Sequence, residues 1–424
     1  MKPSESISLP DETDVVIIGA GIAGMSTAWF LNQAGLRVVV CEKSKVACEQ
    51  SSRNWGWIRQ QGRDEAELPI VMESMSLWQQ IADQVDSDIG YRRSGAIYLC
   101  ENQEDEQRHE PFNKLAPQYG LETRFINREE LKSLIKNCPD LWQSGLYTPD
   151  DGRAEPSLAV PAMSRKLAER GVIIAEDCAV IGLETTNGII KGVQTEHGLI
   201  KCSQVLCSAG AWSTFFLKQQ GINLPQLTVK ASVGRTAPGP DIYDGNASGS
   251  QIAFRRRLDG GYNVAMTQYL EVFPSFHHLS LAKPFFPLLK NSLKKLKFRY
   301  PELKVNGDIY RHRVLDPKPS ANTVSQLRKL LDSRLPELRN TELVECWSGM
   351  IDALPDVVPV LDKADTIEGL WIATGFSGHG FGIGPAAGKI MANLMQNNMP
   401  GYDLNRFRLS RFSDGSPMIL GPAI

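Results

Sequence analysis

The sequence predicts an α/β protein. One domain is built on a parallel sheet assembled from separated stretches of chain, and an α+β second domain carries an antiparallel sheet. Three observations lead there: a strand, glycine turn, helix and strand over residues 14–42; a hairpin ladder between residues 171 and 204; and another strand, glycine turn and helix after Gly369. At 424 residues the chain exceeds one ordinary core, so two connected domains are expected.

Each element follows in order. Asp14 to Gly19 (DVVIIG) is a short apolar strand closed by glycine. A helix should run from Ile22 to Ala34 and stop at Gly35, and Leu36 to Glu42 (LRVVVCE) forms the next strand. Near-continuous apolar strands of this kind imply a parallel sheet covered on both faces. Between Gly171 and Gln204, three apolar runs are separated by Asn187-Gly188 and His197-Gly198, which read as hairpin turns. Residues 225–345 alternate strands with a basic stretch and contain no nucleotide motif, which marks an inserted substrate domain. The expected division is 1–86, 152–225 and 341–424 for the cofactor domain and 87–151 and 226–340 for the substrate domain.

Composition narrows the function. Lys and Arg total 46 against 48 Asp and Glu, a balance that offers nucleic acid no electrostatic footprint. The eight cysteines are scattered without CxxC spacing and the six histidines form no ligand pattern, so no metal site is expected. The N-terminal residues lack an apolar signal region and no run is long enough to span a bilayer. A soluble, cytoplasmic protein is expected.

The turn Gly19-Ala20-Gly21-Ile22-Ala23-Gly24 is a GxGxxG placed directly after a strand and opening a helix. Gly19 permits the tight turn, Gly21 lets backbone approach a pyrophosphate, and Gly24 lets helix and strand pack closely. The helix N-terminus stabilises phosphate charge, and Glu42, ending the second strand, suits a ribose. This is a Rossmann-type unit. Two later segments favour FAD over NAD: Val205 to Trp212, a strand ending in small residues including Ala209 and Gly210, and Gly369 to Gly384, a strand and glycine-rich turn before a helix at Pro385 to Leu394. A helix N-terminus there can stabilise negative charge at the edge of a reduced flavin.

These motifs, with SSRNWG after the second strand and GFSGHGFGIGPAAG near the end, resemble the D-amino-acid-oxidase superfamily, which includes glycine oxidase, sarcosine oxidase and the bacterial L-amino acid deaminases. The resemblance implies that Glu42 and Lys43 meet the adenosine ribose. Ser51, Ser52, Arg53, Asn54, Trp55 and Gly56 would lie beside pyrophosphate and isoalloxazine, with Val180 at the adenine. Ala209, Gly210, Trp212, Gly349, Gly378, His379, Gly380 and Phe381 would complete the cofactor surface. Glycine oxidases and D-amino acid oxidases carry a carboxylate-binding arginine where this chain has Ile351, after Met350. Isoleucine cannot replace a guanidinium. Gly349 falls where sarcosine oxidases attach flavin through cysteine, which implies non-covalent FAD.

The deaminase pattern fits better. It points to Arg255, in AFRRRLDGGY, as the carboxylate anchor; likeness to sarcosine oxidases, which place a carboxylate-binding arginine nearby, makes Arg59 in WIRQQGRD the second candidate. Met350, Ile351, Gly378, His379 and Trp371 would complete the substrate site. The deaminases begin with a membrane anchor, and this chain shows none. The expected reaction is oxidative deamination of an L-amino acid to a 2-oxo acid and ammonia, with oxygen as acceptor and hydrogen peroxide as product, in a chain acting alone or as a homodimer. D-amino acids, secondary amines, opines and a role as an FAD-binding subunit remain alternatives.

Plainer readings stand beside these. A run of three arginines is usually solvated. His379, between glycines, can serve packing or hydrogen bonding as readily as acid–base chemistry. Trp347, Trp371 and Tyr269 suit either a core or an aromatic pocket. The basic stretch Lys283 to Arg299 has the pattern of an amphipathic helix, over the substrate entrance or against an anionic membrane.

Overall fold

The computed structural model describes residues 9–274, 281–293, 295–299 and 312–421. A six-stranded sheet runs in the order Val360–Lys363, Leu370–Thr374, Gln204–Cys207, Val15–Ile18, Val38–Cys41 and Ile173–Ala175, parallel except for the first strand. Its strands come from four distant parts of the chain, as expected for a domain in separated segments. Alternation along each strand divides the core in two. Val15, Ile17, Val38 and Val40 pack toward helices Ile22–Gln33, Leu68–Gln84, Pro156–Glu169 and Gly380–Met395. Val16, Ile18, Val39 and Cys41 pack toward Val180, Ile190, Val193 and Ile200 of the hairpin ladder. Helices therefore cover one face and a small β-meander the other. The meander's first turn has positive φ at both Asn187 and Gly188, the geometry that matches the right-handed twist of its strands.

Ten strands drawn from residues 96–148 and 227–353 make the second, mostly antiparallel sheet. The strand Leu343–Ala353, expected with the final cofactor segment, pairs instead along Leu227–Thr236 in this sheet. Gly349 and Ile351 face the large cavity between the sheets and Met350 does not, while Asp352, near the strand's end, reaches the cavity as well. Helix Ala282–Ser292 covers an edge of the second sheet, burying Phe285 and Leu288 against Leu227, Ala353 and Val357. The rest of the basic stretch includes Lys294, which lies outside the described residues.

The C-terminal helix begins at Gly380, five positions before the proline where the sequence places its start. The cause is tertiary. A Cβ on Gly384 would stand 2.5 Å from Ile22 and one on Gly388 2.4 Å from Ser26, so the glycines let this helix lie directly on the first. Ser74 and Trp78 donate to the Gly382 carbonyl at 2.7 and 3.1 Å, which ties down the turn preceding Pro385.

Candidate active site

A cavity of about 340 Å³ is lined from the first glycine turn to Gly378, His379 and the first turn of the C-terminal helix. At one end, Gly19 has φ +102° and its Cβ would lie 2.7 Å from the Ser208 carbonyl, so only glycine fits. Gly24 packs against the Gly19 carbonyl, behind the cavity wall, in the close-packing role expected of the third glycine. Glu42 accepts from the backbone N–H of Ala20 and Ser44, both at 2.9 Å. Burial pushes its carboxyl above the usual 4.5. Ser51 Oγ accepts from Ile22 N–H at 2.8 Å, at the N-terminus of the helix. Lys43, on the wall with Val180, lies over the Trp212 ring. Burial lowers its pKa to about 7. Arg53 donates to the Leu315 carbonyl and pairs with Asp316 at 3.1 Å, and Asn54 accepts from Gly56 N–H.

The other end is formed by Gly349, Ile351, Asp352 and the start of the C-terminal helix. Asp352 accepts from Gly375 N–H at 3.0 Å, and burial pushes its pKa up to about 6. Gly378, His379, Gly380 and Phe381 line this wall, as do Ala209 and Gly210. His379 Nε2 lies 2.7 Å from the buried carboxylate of Glu67. Trp55, Trp57, Arg59 and Arg63 also line the cavity, the Trp57–Arg59 backbone lying against Gly382 of the C-terminal helix.

Several expected residues are elsewhere. Arg255 is fully buried and off the cavity wall. It donates Nη1 and Nη2 to Glu155 at 2.8 and 2.9 Å and Nε to the Trp55 carbonyl at 2.7 Å. Its fork is already filled by a protein carboxylate, which removes it as the substrate anchor. Trp371 sits in the parallel sheet bonded to Gln204, and Met350 is off the cavity wall. Ser52 and Gly56 lie beside the wall without lining it, and Gly56 packs on Ala154 and Arg255. Trp347 and Tyr269 are also off the wall. Trp55 and Trp57 do face the cavity, together with Trp212, Phe216, Phe376 and Phe381.

Sequence reasoning missed Trp57, Arg63, Glu67 and Asp352. Arg63 had a signal: it follows Arg59 by one turn of chain around Gly62, in a segment already singled out. Asp352 and Glu67 had none, because acids this deep are recognisable only from what surrounds them.

A family model described as FAD dependent oxidoreductase matches residues 14–394. The chain belongs to that family. It is 26% identical over 417 residues to the human peroxisomal sarcosine oxidase, covering 95% of this chain and 97% of that protein. It is 22% identical to the mouse mitochondrial sarcosine dehydrogenase, of which it spans 42%. The chain thus spans less than half the length of some curated relatives it matches. The structure is similar to the L-amino acid deaminase of Proteus myxofaciens in complex with anthranilate, with TM-score 0.91, 29% identity and 96% of each chain covered.

This FAD-dependent family of amine and amino acid oxidoreductases accounts for the features above. The glycine turn and helix N-terminus suit a pyrophosphate, and Glu42 at the end of its strand suits a ribose. The helix beginning at Gly380 suits the electron-rich edge of a flavin. Among the described residues, no helix is long and apolar enough to cross a membrane.

Proposed function

We propose that the protein oxidatively deaminates L-amino acids, with Arg59 as the carboxylate anchor. The observation that carries this is the position of Arg59. Its Nη1 is held by the Gln61 carbonyl and the Tyr98 hydroxyl. Its Nε and Nη2 have no hydrogen-bond partner among the described residues, and the side chain lines the cavity near His379 and the Gly380 helix start. A guanidinium with half its fork fixed and half free is positioned to take a carboxylate bidentately. The likeness to an L-amino acid deaminase supports the choice of hand and reaction.

Non-covalent FAD, when bound, supplies a two-electron acceptor for the substrate's Cα hydrogen. The protein's work is placement. Arg59 fixes the carboxylate and so decides which substituent of Cα faces the flavin end of the cavity. Trp55 and Trp57 exclude water from that region. With Glu67 ionised, His379 donates from Nε2 and keeps Nδ1 as an acceptor. The amine reacts as the neutral base, whose lone pair expels the Cα hydrogen with its electrons. The imino acid then hydrolyses to a 2-oxo acid and ammonia, and the electrons pass to oxygen, giving hydrogen peroxide. A cytoplasmic oxidase acting alone or as a homodimer fits this reading.

The likeness to sarcosine oxidase over 97% of that protein favours N-methyl amino acids as a second reading. Anaerobic mixing with L-, D- and N-methyl amino acids, followed by flavin absorbance, separates them. Fast bleaching by L-amino acids is expected; a preference for the D or N-methyl compounds overturns the assignment.

A further inference from the structure

Among the described residues, four arginines are nearly or fully buried: Arg63, Arg153, Arg255 and Arg411. Three have carboxylate partners: Arg153 with Asp244 at 2.7 Å, Arg255 with Glu155 at 2.8 Å and Arg411 with Asp356 at 2.8 Å. Arg63 has none. It is 7% exposed, lines the cavity, and its Nε and Nη1 have no hydrogen-bond partner among the described residues. The acids around it are committed elsewhere. Glu67 takes His379 at 2.7 Å through Oε1 and attracts Arg63 through its charge without a hydrogen bond, its Oε2 having no partner among the described residues. Asp151 takes the backbone N–H groups of Gln60 and Gln61 at 2.7 and 3.2 Å.

A buried guanidinium with Nε and Nη1 unpaired is costly, because the field of Glu67 offsets only part of the charge's desolvation and does not replace the hydrogen bonds lost from water. Such a group persists where a ligand completes it. Burial first, and the neighbouring charge of Arg59 second, lower its pKa to about 10, so it stays charged at neutral pH. One carboxylate satisfies one fork. A substrate with a single carboxylate on Arg59 would close the cavity over an unmet Arg63.

We propose that Arg59 and Arg63 together grip a substrate bearing two carboxylates, so that the cavity selects acidic amino acids over their neutral isosteres. This rests on the reading of Arg59 as the anchor of the α-carboxylate. Arg63 then acts as the specificity determinant, holding the side-chain carboxylate while Arg59 keeps Cα in place.

The test uses the FAD-bound protein in two ways. Anaerobic flavin reduction is compared for L-glutamate against L-glutamine and L-aspartate against L-asparagine. Binding of the unreactive glutarate and butyrate is read from perturbation of the flavin spectrum. Expected is a preference of about 100-fold or more for each acid and for glutarate, falling to near unity in Arg63→Met and partly kept in Arg63→Lys. Arg63→Met should also keep FAD and melt close to the wild type without ligand, since the charge it removes makes no hydrogen bond at Nε or Nη1 and acts on Glu67 only through its field.

Equal or better reduction by glutamine, or an unchanged acid preference in Arg63→Met, overturns the inference and leaves the deaminase reading standing. Loss of FAD together with a fall in melting temperature in both variants makes Arg63 structural, and also overturns it. Glutarate binding that depends on Arg63, without reduction by any amino acid, upholds the two-carboxylate site and sinks the deaminase reading.

Discussion

Arg255 and Glu155 form a bidentate ion pair at 2.8 and 2.9 Å, both side chains almost wholly out of water. The pair joins the second sheet to the start of helix Pro156–Glu169, and Arg255 Nε also holds the Trp55 carbonyl. It thus braces the back of the segment that presents Trp55 and Trp57 to the cavity. Burial pushes the arginine pKa down, against the pull of Glu155.

Arg255→Met should therefore act on stability first. Removing one partner of a buried pair typically costs about 3–5 kcal/mol, and the loss here should fall at the lower end because Arg257 still faces Glu155 at 3.8 Å. Denaturant unfolding of the apoprotein should show a loss of that order, smaller when Glu155→Gln is added. A variant as stable as the wild type with crippled turnover would return Arg255 to the substrate.

Arg59→Met should lower kcat/KM for amino acids and leave FAD in place. Truncating one side of a desolvated charge pair costs about 2–5 kcal/mol, or roughly 30- to 5,000-fold. The wild type should also discriminate against the decarboxylated amine, and the variant should lose most of that discrimination. Undiminished kinetics in Arg59→Met would remove the anchor.

FAD should leave the protein entirely on acid treatment, given Gly349 where a linking cysteine would stand, and colour remaining on the precipitate would contradict this. Gly21→Val should abolish FAD binding while the far-ultraviolet spectrum stays native. Even a Cβ there would come within 3.1 Å of Ser51 Oγ, and the valine methyls would project into the cavity. Normal FAD binding by that variant would place the phosphates elsewhere.

Acid should destabilise the protein through His379 and Glu67. Burial holds His379 below its usual 6.5, so its contribution is present above 6.5 and is lost as pH falls beneath it. Against the upward push of burial, His379 and Arg63 hold Glu67 below 4.5, which extends the loss to lower pH. Melting temperature should fall between pH 7 and 5, and His379→Gln should flatten that stretch. A parallel curve for the variant would show that the histidine does not titrate in this window.

Legibility differed between kinds of residue. The phosphate turn could be read directly, because a tight turn before a helix restricts Gly19, Gly21 and Gly24 within a few positions of one another. The hairpin at Asn187-Gly188 was legible for the same local reason. The strand Leu343–Ala353 was not. Its partner, Leu227–Thr236, lies far away in sequence, and nothing local says which sheet a strand joins.

By itself, then, the sequence determined the two-domain α/β plan, the cofactor turn and the presence of two arginines suited to a carboxylate. Only the tertiary structure set the two apart in their surroundings. Periodicity puts Arg255 on a strand without revealing that Glu155 waits opposite it, whereas Arg59 reaches the cavity with free donors. Whether a charge serves a ligand depends on which opposite charge the fold brings within hydrogen-bonding distance. That distance is a property of packed elements and not of spacing along the chain.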